Sequence, residues 1–186
     1  MAKLIYSAFT SLDGYLADET GNFDWAELDE EVFACINHRE RQVGTYLFGR
    51  KVYETMSVWE TPEAIPDPTA HMLEFVPIWQ AAEKIVYSTK LQKVSAAKTR
   101  LERKFDADGV RELKARATRD LAVAGPTLAA HAIRAGLVDE YNLLIAPVIA
   151  GGGNPYFPGK VRVKLEFIDQ RNFDHGLVYV RYRAKR

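Results

Sequence analysis

DLAVAGPTLAAHAIRAGLVDEYNLLIAPV, residues 120–148, reads as one strand–helix–strand unit. Residues 120–124 form a short apolar run of the kind buried on both faces of a parallel sheet. Gly125-Pro126 then opens a helix predicted over 127–135. Proline suits the first helical turn, where its missing N–H costs nothing, and Gly136 stands just past the end, where a left-handed residue closes the last turn. A long strand is predicted over 140–148. Strands joined through a crossover helix lie parallel, so this stretch points to an α/β sheet.

The same alternation runs backwards along the chain. Residues 3–9 are an apolar strand ending in Ser11-Leu12-Asp13-Gly14, where Asp and Gly supply turn chemistry. A first helix is predicted over 26–41, with Leu28, Val32, Ile36 and Val43 at helical spacing, acids early and bases late. Residues 45–48 form a strand that stops at Gly49, and 50–57 restart as helix. A helix over 72–82 precedes a short strand over 84–87, and Asp108 is the predicted cap of a helix running to Ala117. Pro62, Pro66 and Pro68 make 61–69 an exposed loop. Beyond 148 the period changes: Val163, Leu165 and Phe167 alternate with Lys164 and Glu166, and a second alternating strand over 177–183 follows a hairpin turn at Asp174-His175-Gly176. The predicted fold is a three-layer αβα domain over residues 1–186, with a mostly parallel mixed sheet closed by an antiparallel C-terminal hairpin.

Composition removes several function classes. Twenty-five Lys plus Arg balance 25 Asp plus Glu, so no overall positive field attracts a nucleic acid. Apolar residues at 47% exclude disorder as the main state. The longest apolar stretch is too short for a membrane span. Cys35 is the sole cysteine, which excludes an intrachain disulfide or a Cys-rich zinc site and points to a reducing, cytoplasmic setting. His38-Arg39-Glu40 matches half of a zinc deaminase signature, but the P-C-x-x-C half is absent and no metal is expected. No G-x-S-x-G serine occurs, and Cys35 in mid-helix reads as an inert thiol.

In an open α/β sheet, ligands bind beyond the carboxyl ends of the strands. The informative loops are therefore residues 10–14, Gly49-Arg50-Lys51, Ser88-Thr89-Lys90 and Gly125-Pro126-Thr127. Three of them join glycine or hydroxyl groups to bases or a helix start, which are the ingredients of a phosphate site, although each loop alone also reads as a tight turn. No GxGxxG or P-loop follows the first strand. Gly151-Gly152-Gly153 reads as a wide bend into Pro155 or a ligand loop. Asp13, Asp24, Asp29 and Glu30 fall near the expected cleft. Asp29 and Glu30 are the candidate catalytic acids, Asp13 and Asp24 candidate substrate contacts, and turn or helix-dipole roles compete for each.

Several blocks in fixed order carry a resemblance across nearly the whole chain: Ser11-Leu12-Asp13-Gly14-Tyr15-Leu16-Ala17, Gly49-Arg50-Lys51-Val52-Tyr53-Glu54, Ser88-Thr89-Lys90, Ala122-Val123-Ala124-Gly125, and Gly136-Leu137-Val138-Asp139-Glu140 running into Ala146-Pro147-Val148, with Gly151-Gly152-Gly153 and Phe157 beyond. The chain resembles the dihydrofolate-reductase-like superfamily, in particular stand-alone relatives of the reductase domain of the riboflavin-biosynthesis deaminase-reductase. The resemblance implies NADPH bound across the strand ends and hydride passed to a pterin-like or pyrimidine-like heterocycle. It places the backbone of Ala8 on the nicotinamide amide, and Gly49, Arg50, Lys51 and Val52 on the phosphates and adenosine end. Ser88 and Thr89 would hold the ribose or 2′-phosphate, with Lys90 beside them, and Gly125, Pro126, Thr127 and Leu128 the pyrophosphate. Members of the superfamily carry a cis Gly-Gly peptide where this chain has Gly125-Pro126, so a cis bond is expected there. No acid matches unambiguously the one that dihydrofolate reductases place on their first long helix. The reading is an NADPH-dependent reductase, with a true dihydrofolate reductase and a non-catalytic ligand-binding or assembly module as alternatives. The exposed late hairpin and the resemblance both imply a homodimer.

Overall fold

The sheet is built outward from β1 (Leu4–Thr10), which lies between β6 (Asp120–Ala124) and β7 (Glu140–Ile145), parallel to both. The computed structural model of the chain describes residues 1–25 and 28–185. Toward one edge follow β3 (Val43–Gly49), β4 (Glu83–Tyr87) and β5 (Thr99–Glu102), all parallel. Toward the other, β10 (Val178–Ala184) runs antiparallel to β7 and pairs with the edge strand β9 (Leu165–Asn172). The order is β5-β4-β3-β6-β1-β7-β10-β9, and β2 (Tyr15–Ala17) pairs separately with β8 (Asn154–Pro155).

Alternation along the strands sorts the core into two layers. Leu4, Tyr6, Leu47, Leu121, Val123, Tyr141 and Leu143 pack with Leu128, Ala129, Ala132 and Ile133 of α5 (Pro126–Arg134) and Val110 of α4 (Ala107–Arg116). On the opposite face, Tyr46, Phe48, Val86 and Ala122 meet Phe75, Ile78 and Trp79 of α3 (Ala70–Ala81), and Leu144 and Tyr179 meet Val32 and Cys35 of α1 (Glu30–Glu40). The αβα architecture is as expected.

Several boundaries differ from the sequence reading for local reasons. The first helix starts at Glu30, because the Asp29 side chain accepts a hydrogen bond from Val32 N at 2.8 Å and caps it. Residues 26 and 27 of the expected helix lie outside the described residues. Asp106, rather than Asp108, caps α4. The strand expected to reach Val148 ends at Ile145, two residues before Pro147, whose nitrogen cannot donate to a ladder. Strand β5 and the β2–β8 pair were not anticipated. The expected cis peptide before Pro126 is absent: the described residues contain none. Gly125 makes the bend instead, with φ +97°, a value that glycine adopts without a side-chain clash.

The glycine run after Pro147 bends the chain against the segment after β1. A Cβ on Gly153 would stand 2.2 Å from the Ala17 carbonyl oxygen, so only glycine fits. Beyond it Tyr156 is buried, stacked on Tyr6 at 4.1 Å, and each hydroxyl donates to the other residue's carbonyl.

Candidate functional site

The β1–β6 ladder ends at Tyr6↔Val123, while the β1–β7 ladder continues to Thr10↔Ile145. Strand β6 leaves because Gly125 turns it into α5, so a crevice opens beside the last residues of β1. In a parallel ladder both backbone groups of a residue face the same side, and successive residues alternate. Leu121 N donates to the Lys3 carbonyl, whereas Asp139 N and Ala146 N donate to those of Leu4 and Thr10. Even-numbered residues of β1 therefore face β7, and odd ones face β6. The Ala8 backbone is directed into the β7 ladder. The amide and carbonyl that face the crevice belong to Phe9, one residue further than the resemblance implied.

Two helices begin at the rim. Gly49 precedes α2 (Arg50–Met56) and Gly125 precedes α5, and neither has a side-chain cap. Their first N–H groups are thus left for an acceptor from outside, except at Pro126, which has none. The two glycines approach closely: a Cβ on Gly125 would lie 3.3 Å from Val52 Cγ2 and 3.7 Å from Gly49 N, whereas one on Gly49 would point into open space. This is a cradle of backbone donors that a side chain at Gly125 would crowd, and it fits a phosphate group. Thr127 and Leu128 continue the first turn of α5, Thr127 exposed and Leu128 buried in the core.

Basic side chains flank the cradle. Arg50 Nη1 donates to Glu54 Oε1 at 3.1 Å, in a pair whose side chains are 40% and 46% exposed, and Lys51 is exposed. After β4, Ser88 Oγ accepts from Lys90 N at 3.2 Å and Leu91 N at 3.0 Å, which leaves its O–H free to donate. Thr89 and Lys90 stand beside it, Lys90 exposed. Arg103 was missed by the sequence reading. It follows β5, whose end lies beside that of β4, and its guanidinium donates to the Ser88 and Leu91 carbonyls, pinning the turn. The β-branched and apolar alternation of Thr99-Arg100-Leu101-Glu102 was the available signal.

The candidate acids are differently placed. Asp13 Oδ1 accepts from Ser11 Oγ at 2.6 Å and Ala150 N at 3.0 Å, and Oδ2 accepts from Gly151 N at 2.8 Å. These bonds, the Ser11 hydroxyl foremost, lower its pKa to about 2. Its carboxylate thus clasps the loop after β7 to the loop after β1. One oxygen of Asp29 caps α1, Glu30 is exposed in the first turn of that helix, and Asp24 is exposed. Trp25, Phe9 and Ile36 pack against the apolar cluster beneath α1. Two surface hollows, of about 380 and 680 Å³, lie away from these loops. Among the residues lining the larger, Lys3 pairs with Glu140 at 2.7 Å and Asp139 with Lys114. The crevice is the better candidate because free backbone groups and basic side chains converge on it. Among the described residues no helix is long and apolar enough to cross a membrane.

Comparison with known proteins agrees with the fold. The model of the RibD C-terminal domain family matches residues 2–179. Uncharacterized protein YyaP of Bacillus subtilis is 26% identical over 182 residues, covering 97% of this chain and 94% of its own. Among solved structures, a putative riboflavin biosynthesis protein from Shewanella superposes with a TM-score of 0.73 at 23% identity over the full length of both chains. A pyrimidine reductase-like protein from Corynebacterium diphtheriae gives 0.71 at 14% identity, covering 100% of this chain and 92% of that one. A dihydrofolate reductase from Enterococcus faecalis, complexed with NADP(H), gives 0.63 at 12% identity, covering 99% and 97%. With a dihydrofolate-reductase-like fold and a family match over nearly its whole length, the chain belongs to the RibD C-terminal domain family, a reductase family.

Proposed function

We propose that the chain is an NADPH-dependent reductase of a small pterin-like or pyrimidine-like heterocycle. The observation that carries this reading is the crevice beside β1, where the Phe9 backbone faces the side vacated by β6 and the uncapped starts of α2 and α5 converge. The helix starts at 49–52 and 125–128 bind the cofactor phosphates, Arg50 and Lys51 add charge, and Ser88, Thr89 and Lys90 hold the adenosine ribose and its phosphate. Arg103 keeps that last turn in place. The Phe9 amide and carbonyl meet a carboxamide, which carries both an acceptor and donors. When bound, the nicotinamide supplies the hydride, and the protein supplies orientation and electrostatics.

The heterocycle takes the part of the crevice nearer the start of α1. Asp29 retains one oxygen not used in capping, and exposed Glu30 adjoins it, so these two are the acids proposed to orient or protonate substrate. Asp24 is a further substrate contact. Asp13 acts by holding residues 150 and 151 in place. Titration with NADPH and NADH, followed by nicotinamide fluorescence, tests the reading: saturable binding that favours NADPH supports it, and no binding of either rejects it. Tight antifolate binding would instead identify a dihydrofolate reductase.

A further inference from the structure

The hollow of about 380 Å³ opens between the second half of α1 and the β9–β10 hairpin, and no residue proposed to touch cofactor or substrate lines it. Cys35, His38 and Arg39 line it from α1, Asp169 and Arg171 from β9, and Tyr179 from β10. Tyr179 is only 3% exposed, and among the described residues nothing hydrogen-bonds its hydroxyl. The ring is buried but the hydroxyl is not shut away from solvent, so it can donate to a ligand held in the hollow.

The charges beside it indicate what that is. The Arg39 guanidinium lies 5.8 Å from the centre of the Tyr179 ring, its Nε has no partner among the described residues, and its Nη2 reaches Asp169 at 3.1 Å. The Arg171 guanidinium lies 4.9 Å over the Phe173 ring and pairs with Glu31. Both ion pairs are a third to a half exposed, a class of pair that yields readily to a competing anion. Two guanidinium groups, the His38 imidazole and a phenol donor face one carboxylate lining the hollow, which suits an oxyanion. The volume exceeds that of a bare ion and falls at the small end of metabolite pockets, about 300–1,000 Å³. We propose that this hollow is a second ligand site, which takes a small metabolite by its carboxylate or phosphate monoester through Arg39, Arg171 and the Tyr179 hydroxyl.

Cys35, the chain's sole cysteine, is mostly buried but lines the same hollow, so its slow alkylation reports on occupancy. The experiment measures its alkylation by uncharged iodoacetamide against increasing phenyl phosphate or benzoate, at ionic strength held constant with potassium chloride. Saturable slowing is expected, and the more effective probe distinguishes phosphate from carboxylate. Tyr179→Phe keeps the ring and should shift the midpoint about five- to tenfold, the worth of one hydrogen bond. Arg39→Gln should shift it about tenfold or more, as for a charge-assisted bond. Arg50→Ala should leave the protection intact; loss there would place the anion in the crevice and overturn the proposal. Rates indifferent to both probes, variants protected like the wild type, or slowing that follows protein concentration without a probe would also overturn it, the last by showing that a second copy covers the hollow. Should Arg39→Gln not fold, Tyr179→Phe alone decides. The readout involves no nicotinamide, so it stands or falls apart from the reductase reading.

Discussion

Replacing Arg50 by alanine should weaken NADPH binding by an amount that follows from the competing partner of its guanidinium. A charge-assisted hydrogen bond from Arg50 to phosphate is worth about 1.5–3 kcal/mol. In the structure the same guanidinium donates to Glu54 across one helical turn, and both side chains are partly exposed. Releasing such an i,i+4 pair costs about 0.3–0.5 kcal/mol. The net loss in Arg50→Ala is then about 1–2.5 kcal/mol, a factor of about 5–70 in Kd. Glu54→Gln frees Arg50 in advance and should tighten NADPH about twofold. The assay is a nicotinamide-fluorescence titration of each variant with NADPH and with NADH. If Arg50 holds the 2′-phosphate, NADH affinity stays at the wild-type value, since NADH lacks that group. Equal loss for both dinucleotides would move Arg50 to the shared pyrophosphate, and unchanged NADPH binding in Arg50→Ala would refute its role altogether.

Pro126→Gly restores an N–H at the first position of α5, so NADPH should bind about two- to tenfold tighter by calorimetry, the range of one hydrogen bond. Thermal stability should fall at the same time, because glycine frees the unfolded chain; unchanged affinity would mean that this donor does not reach the cofactor. Because the Asp13 pKa falls from 3.8 to about 2 on folding, its contribution is complete above about pH 4 and is lost as pH falls toward 2. Denaturant midpoints of wild type and Asp13→Asn should therefore converge over that interval, and parallel curves would argue against the clasp. A homodimer remains our expectation, since edge strand β9 exposes Phe167 at 55% beside the unpaired backbone of its outer side. Light scattering at micromolar concentration should give twice 21.0 kDa, and the monomer mass would count against it.

The helix punctuation around Gly125-Pro126 and Gly136, the apolar strand runs and the change to alternation after residue 148 were legible in the sequence because they are local signals. Backbone preference and one-sided burial leave their mark within a few residues. From these the αβα class followed, along with the loops after the strands where the candidate site lies. The family resemblance sharpened the expected roles, and the backbone it pointed to at Ala8 faces β7 in the structure. Whether Ala8 or Phe9 faces the crevice depends on which neighbour each β1 residue bonds, a matter of register between strands more than 100 residues apart.

Other features were out of reach for the same reason. Asp13 read as a turn residue or a substrate contact, yet its carboxylate holds Ala150 and Gly151, a contact across 137 and 138 positions that no spacing rule anticipates. Strand β5 is four residues long and only partly buried, too weak a pattern to stand alone, and its pairing with β4 is what brings Arg103 to Ser88. The bend at residue 125 needed a residue free to take φ +97°, and glycine left both that route and a cis proline open until the packing of Val52 and Gly49 around it was known. Sequence alone thus determined the fold class and pointed to the loops of the candidate site, because propensity and periodicity act over a few residues. Tertiary structure decided which backbone groups and side chains meet there, because those contacts are set by long-range register and packing.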